Sequence, residues 1–149
     1  MENKVNNFQT RLDEILTKLR QRNCRITPQR IAILRAFLQS QDHPGVEKVY
    51  TEVKVNFPTT SLATVYKTVN LLKEIGEILE INFADRGNRY DGNQPYPHPH
   101  LICTECSKIV DPEVILLDQM TADITNSTGY RIDSHQVTYY GVCPSCQKK

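Results

Sequence analysis

Two Cys-x-x-Cys pairs, Cys103-Thr-Glu-Cys106 and Cys143-Pro-Ser-Cys146, constrain this chain more than any other feature of it. Two-residue spacing lets both thiolates of a pair reach one tetrahedral ion, and two pairs complete a closed site. The chain between the pairs must therefore leave one point and return to it. Soft thiolate donors in this arrangement suit zinc or an iron–sulfur cluster. Nothing in the sequence points to an electron-transfer partner, so Cys103, Cys106, Cys143 and Cys146 are expected to hold structural Zn(II). The fifth cysteine, Cys24, reads as a small, partly buried residue.

Composition explains why such a clasp is needed. Hydrophobic residues make up 39% of the 149 positions and there is no Trp. The part beyond residue 100 offers one helix and a few short strands, a thin core that calls for both a metal and a second subunit. No segment approaches the ~20 apolar residues of a membrane helix. Met1-Glu2-Asn3-Lys4 lacks the apolar core of a secretion signal, so a cytoplasmic chain with no membrane partner is expected. Net charge is only +1, but Lys18, Arg20, Arg22, Arg25, Arg30 and Arg35 fall in a stretch free of acids. Such a run is either a solvated helix face or a face for an anionic partner.

Periodicity supplies the layout. Leu12, Ile15, Leu16 and Leu19 mark one helix face. Thr27-Pro28 starts a second helix, with a capping hydroxyl and a proline at the first position, and Ile31, Leu34 and Leu38 form its stripe. A third helix carries Val46, Val49, Tyr50 and Val53 and ends near Phe57-Pro58. In the fourth, Ser61 caps, Gly76 terminates, and Leu62, Val65, Val69 and Leu72 face the core. Thr64, Tyr66, Lys67 and Asn70 are left on its other side. Leu79, Ile81 and Phe83 alternate as a strand, Arg86-Gly87-Asn88 turns, and Arg89-Tyr90-Asp91 returns. Beyond a Pro- and Gly-rich stretch come short strands at His100–Ile102 and Lys108–Val110. A helix from about Val114 to Thr128, closed by Gly129, and a longer strand from Arg131 to Val142 follow. The expected fold is thus α+β. It comprises an N-terminal winged helix-turn-helix domain (residues 1–91), a hinge (92–99) and a small C-terminal α/β dimerisation domain with a structural zinc (100–149).

A second set of chemistry-bearing residues comprises His43, Asp91, His98, His100 and Asp111. On an extended segment the two histidines of His98-Pro-His100 point to one side, which suits a metal as well as it suits two ordinary exposed imidazoles.

Several motifs stand in a fixed order: Arg25-Ile-Thr-Pro-Gln-Arg30, Asp42-His43-Pro44, Ala63-Thr-Val-Tyr-Lys-Thr68, Asn88-Arg-Tyr-Asp91, His98-Pro-His-Leu-Ile-Cys103, Cys106-Ser-Lys-Ile-Val-Asp111 and Tyr140-Gly-Val-Cys143. Over nearly its whole length the chain resembles the ferric uptake regulator (Fur) family, and within it the peroxide-sensing PerR branch. The resemblance implies regulatory Fe(II) or Mn(II) held by His43, Asp91, His98, His100 and Asp111. It implies that peroxide oxidises His43 and His98, releasing metal and then DNA; Asp at position 111 goes with peroxide sensing and Glu with sensing iron alone. It also implies a homodimer on an A·T-rich inverted repeat of operator DNA. The fourth helix would lie in the major groove, Tyr66 near bases and Lys67 near phosphates or bases, with Arg25, Ser61 and Thr64 as further contacts.

Two departures qualify the likeness. Lys67 stands where many relatives have Arg, and an ammonium lacks the fork for bidentate guanine contact. Many relatives also bind a further metal around the His-x-His segment, through positions occupied here by Pro97 and Pro99. Only Asp118 and His135 remain of that set, and His135 is expected to be a strand or interface histidine. Two alternatives stand beside the lead reading. One is an iron- or zinc-responsive uptake repressor sensing metal level only. The other is a zinc-dependent enzyme, disfavoured because no nucleophile adjoins a base and there is no His-Glu-x-x-His helix.

Overall fold

The computed structural model describes residues 2–83 and 87–149, the side chains of residues 2–6 excepted. It divides into two compact units, residues 1–95 and 96–149.

The first unit begins with α1 (Glu2–Gln21), α2 (Pro28–Gln39), α3 (Val46–Asn56) and α4 (Leu62–Glu74). Each helix starts where the side chains permit. Thr27 caps α2 by accepting from the Arg30 amide at 3.2 Å, and Pro28 follows it. Ser61 caps α4 by accepting from the Thr64 amide at 3.1 Å. Leu12, Ile15, Leu16 and Leu19 of α1 are buried against Ile33, Leu34, Phe37 and Leu38 of α2, Val46, Val49 and Val53 of α3, and Val65, Val69 and Leu72 of α4. Each large aliphatic side chain so buried contributes ~1.5–3 kcal/mol of transfer free energy.

Two expected core positions differ. Leu62 is 37% exposed, because it opens α4 and the first turn lies beyond the bundle. Ile31 is only partly buried, and Ile33 and Phe37 take the central places in α2.

Strands β1 (Leu79–Ile81) and β2 (Arg89–Asp91) pair antiparallel, Glu80 opposite Tyr90, and form the wing. Phe83 lies beyond the end of β1, and Arg86 of the expected turn falls outside the described residues. The helices and this hairpin make a winged helix-turn-helix.

The second unit is a three-stranded sheet in the order β4 (Ile109–Val110), β3 (His100–Cys103), β5 (Thr138–Gly141), with α5 (Leu117–Thr128) between β4 and β5 in the chain. β3 and β5 are parallel, His100 opposite Thr138 and Cys103 opposite Gly141. The expected long strand from Arg131 is reduced to its final residues. Its partner is short, because Pro97 and Pro99 ahead of β3 fix φ near −65°, far from strand geometry. The helix expected from Val114 starts at Leu117 and has no side-chain cap; Gly129, at φ 73°, closes it as expected.

Of this unit's apolar side chains only Ile102, Cys103 and Ile109 are buried among the described residues. Ile115 is 95% exposed, and Leu116, Met120, Ile124, Tyr130, Tyr139 and Tyr140 are exposed too. No helix among the described residues is long and apolar enough to cross a membrane.

Candidate metal centres and nucleic-acid interface

Parallel pairing of β3 with β5 accounts for the cysteine cluster. The two strands run side by side in one direction, so the chain leaves both at the same edge, where Cys103-x-x-Cys106 and Cys143-x-x-Cys146 follow. Thiolates about 2.3 Å from a tetrahedral zinc stand about 3.8 Å from one another. Cys106 Sγ and Cys143 Sγ are 3.8 Å apart, and all four sulfurs lie within 4.8 Å of each other.

Backbone amides prepare the charge. The N–H groups of Cys106 and Cys143 point at Cys103 Sγ, the latter at 3.3 Å, and lower its pKa to about 6. Cys143 is also lowered, chiefly by the Cys146 amide. Cys146 is pushed up to about 12, first by its hydrogen bond with Cys143 and then by burial and the other two thiols. Thiolates this close repel one another, so the four ionise together only against a cation. A dication relieves that crowding, and the all-thiolate set fits zinc.

The second donor set is built in two places. In the first unit, His43 Nε2 and Asp91 Oδ2 are 3.3 Å apart, both residues buried. Asp91 is oriented by its own turn: Oδ1 accepts from the amides of Asn93 at 2.9 Å and Gln94 at 2.8 Å. In the second unit, His98 Nε2 is 3.5 Å and His100 Nε2 3.8 Å from Asp111 Oδ1. The two imidazoles lie with centroids 4.3 Å apart and their planes tilted by 53°. His98 lies just before β3, not on it, yet its ring still faces the same way as that of His100. With its proton on Nδ1, His98 donates to the Tyr96 carbonyl at 2.8 Å, and Nε2 then presents its lone pair. Ligands about 2.1 Å from one ion stand ~3 Å apart when adjacent, close to these separations. Imidazole and carboxylate donors fit Fe(II) or Mn(II).

Two features had no role in the sequence reading. His43 adopts φ 48°, the left-handed region, at a cost of roughly 1–2 kcal/mol for a residue with a Cβ. Arg89 holds it there: its Nε donates to the His43 carbonyl and its Nη2 to the Asp42 carbonyl at 2.8 Å. The motif Asn88-Arg-Tyr-Asp91 contained this arginine, but no spacing rule links it to residue 43. The other is Glu47 of α3, whose Oε1 accepts from the Tyr66 hydroxyl at 3.1 Å and raises the Tyr66 pKa.

On α4, Tyr66 is 43% exposed, Lys67 is exposed, and Ser61 and Thr64 share a hydroxyl–hydroxyl hydrogen bond of 2.8 Å at the helix start. Arg25 is also exposed. A capped helix with a polar outer face, carried beside a two-stranded wing, is the arrangement that enters a DNA major groove.

Comparison with known proteins agrees with this anatomy. Residues 21–140 match the model of the ferric uptake regulator family. The chain is 36% identical over 149 residues to the peroxide-responsive repressor PerR of Staphylococcus aureus, covering 100% of both. The crystal structure of the Campylobacter jejuni peroxide stress regulator is 32% identical, covers 88% of this chain and 98% of its own, and superposes with a TM-score of 0.72. The ferric uptake regulator of Helicobacter pylori, whose structure reveals three functional metal binding sites, shares the fold with a TM-score of 0.84 at 20% identity, covering 95% of each chain. The chain belongs to the ferric uptake regulator family, whose members regulate transcription and are not enzymes.

Proposed function

We propose that the chain is a cytoplasmic, peroxide-responsive repressor that binds operator DNA as a homodimer when regulatory Fe(II) or Mn(II) is loaded. The observation that carries this reading is the pair of prearranged nitrogen and oxygen donor sets, His43 with Asp91 and His98 with His100 and Asp111. The first set belongs to residues 1–95 and the second to residues 96–149. Loading of the regulatory ion is the signal that favours the form whose two α4 helices, one from each protomer, engage an A·T-rich inverted repeat. Taking such a switch from almost wholly released to almost wholly bound requires about 5.5 kcal/mol of differential binding.

Within that scheme the residues divide the work. Cys103, Cys106, Cys143 and Cys146 hold Zn(II) and keep the second unit folded. Tyr66 and Lys67 face the bases and phosphates, with Arg25, Ser61 and Thr64 beside them. Fe(II) held by these donors would activate peroxide. In the net step the imidazole of His43 or His98 is the two-electron reductant: one peroxide oxygen adds to its ring and the other leaves as water. An oxidised imidazole is a poor ligand, so the donor set loses its hold and the DNA is released. The full-length likeness to a peroxide-responsive repressor and the aspartate at position 111 support the peroxide branch over simple metal sensing.

The test is operator binding with Mn(II) and with Fe(II), before and after peroxide, for the wild type and Asp111→Glu. The wild type should release DNA only in the Fe(II) form, with one oxygen atom added to the peptide carrying His43 or His98. Asp111→Glu should keep metal-dependent binding and lose the peroxide response. Release without histidine oxidation, and with the cysteines oxidised instead, would make the zinc thiolates the sensor.

A further inference from the structure

We infer that Arg89 is a positioning residue for the regulatory metal: its guanidinium presets the backbone that presents His43, so that two of the five donors, His43 and Asp91, stand ready before any ion arrives. The inference rests on the reading of His43 and Asp91 as ligands and adds the residue that brings them together.

Three consecutive carbonyls of the loop ahead of α3 are tied to β2. Arg89 donates to those of Asp42 and His43, and the Tyr90 amide donates to that of Pro44 at 3.1 Å. The next residue of the strand is Asp91, whose Oδ2 faces His43 Nε2. A single three-residue strand thus supplies one donor and pins the loop that supplies the other. Pinning is needed because His43 sits at φ 48°, where a histidine does not rest unaided. The guanidinium meets the two adjacent carbonyls with two N–H groups fixed in one plane, a geometry that the rotatable donors of a lysine ammonium do not impose. The guanidinium is itself held: it is partly buried and lies 5.8 Å from the centre of the Phe83 ring.

Charge alone predicts the opposite result. A guanidinium bonded to the backbone of a ligand residue repels an incoming dication, and a purely electrostatic role means that removing it tightens metal binding. Positioning means that removing it loosens binding.

The experiment is Mn(II) titration of the zinc-loaded full-length chain as wild type, Arg89→Met, Arg89→Lys and His43→Ala, with zinc content and thermal midpoint of the Mn(II)-free proteins measured alongside. Arg89→Met should bind Mn(II) about 10–100-fold more weakly, as loss of outer partners of ligands does elsewhere, with zinc content unchanged. Arg89→Lys, which keeps the charge, should fall between it and the wild type. Unchanged or tighter Mn(II) binding by Arg89→Met overturns the inference. Should Arg89→Met not fold, Arg89→Lys decides: binding several-fold weaker supports positioning, and binding equal to the wild type overturns it. His43→Ala separates this inference from its parent. If that variant binds Mn(II) like the wild type, the donor assignment itself fails; if it loses Mn(II) while Arg89→Met does not, only the role of Arg89 fails.

Discussion

Cys143 links the cysteine cluster to the sheet. Its sulfur is 3.8 Å from that of Cys106, its amide donates to the Cys103 sulfur, and it lies two residues beyond the end of β5. Replacing one sulfur by oxygen opens a tetrahedral site whose metal contributes ~10–16 kcal/mol in zinc-finger peptides. Cys143→Ser should therefore lose bound zinc and unfold residues 96–149 while leaving the four-helix signal of the first unit. Zinc analysis and circular dichroism check this; a zinc-free variant with normal stability would remove the structural role. At this scale the sequence was informative where chemistry is local. Two cysteines two residues apart announce a ligand pair whatever the fold. His43 and Arg89 meet across 46 positions, and only the folded wing brings them together.

Among the elements, α4 is the clearest case of a helix with two independent faces. Val65, Thr68, Val69 and Leu72 are buried, and Tyr66, Lys67 and Asn70 are exposed. If this outer face reads DNA, Lys67→Ala should weaken operator binding equally on matched and scrambled sites. It should also flatten the salt dependence by about 0.9 log units for each phosphate it no longer neutralises. Tyr66→Ala should instead reduce the difference between matched and scrambled sites, as fluorescence anisotropy across a salt series would show. Apolar periodicity assigned Val65, Val69 and Leu72 and passed over Thr68, whose hydroxyl is satisfied by the Thr64 carbonyl one turn back. It misplaced Leu62 because a repeat of 3.6 residues does not say where the bundle ends.

The wing depends on polar bonds. Burial of Glu80 opposes its charge, but Lys73, Asn88 and Tyr90 all donate to it and hold its pKa below the ordinary value. A carboxylate lowered in the folded state contributes stability above its unfolded pKa, and that contribution is lost as pH falls through the folded one. Glu80→Gln should therefore lower the thermal midpoint at neutral pH and flatten its decline below about pH 4, a comparison that differential scanning calorimetry makes directly.

For the whole molecule, the decisive quantity is how little the second unit buries. Ile115, Leu116, Tyr130, Tyr139 and Tyr140 present apolar surface to solvent, and α5 has no buried residue. The homodimer proposed above gives that surface a place. The double substitution Ile115→Glu with Leu116→Glu should shift sedimentation towards monomer and weaken operator binding more than tenfold at nanomolar protein, about 1.4 kcal/mol or more. A variant that stays dimeric would place the interface elsewhere. Low hydrophobic content had already marked this half as incomplete. Which residues stay uncovered became visible only once the short β5 and the late start of α5 were known.

The side-by-side course of β3 and β5 also has a consequence for how the chain reaches its native state. Helix packing in the first unit joins near neighbours and can form quickly, whereas a parallel pair must first close the long loop that carries α5. The cysteines lie just past the closing ends, so zinc captures that loop only after the slow encounter has happened. The encounter thus sets the pace, and zinc decides whether its product is kept. If the four cysteines hold zinc as proposed, a chain made without it would accumulate as a finished first unit joined to an unfinished second one.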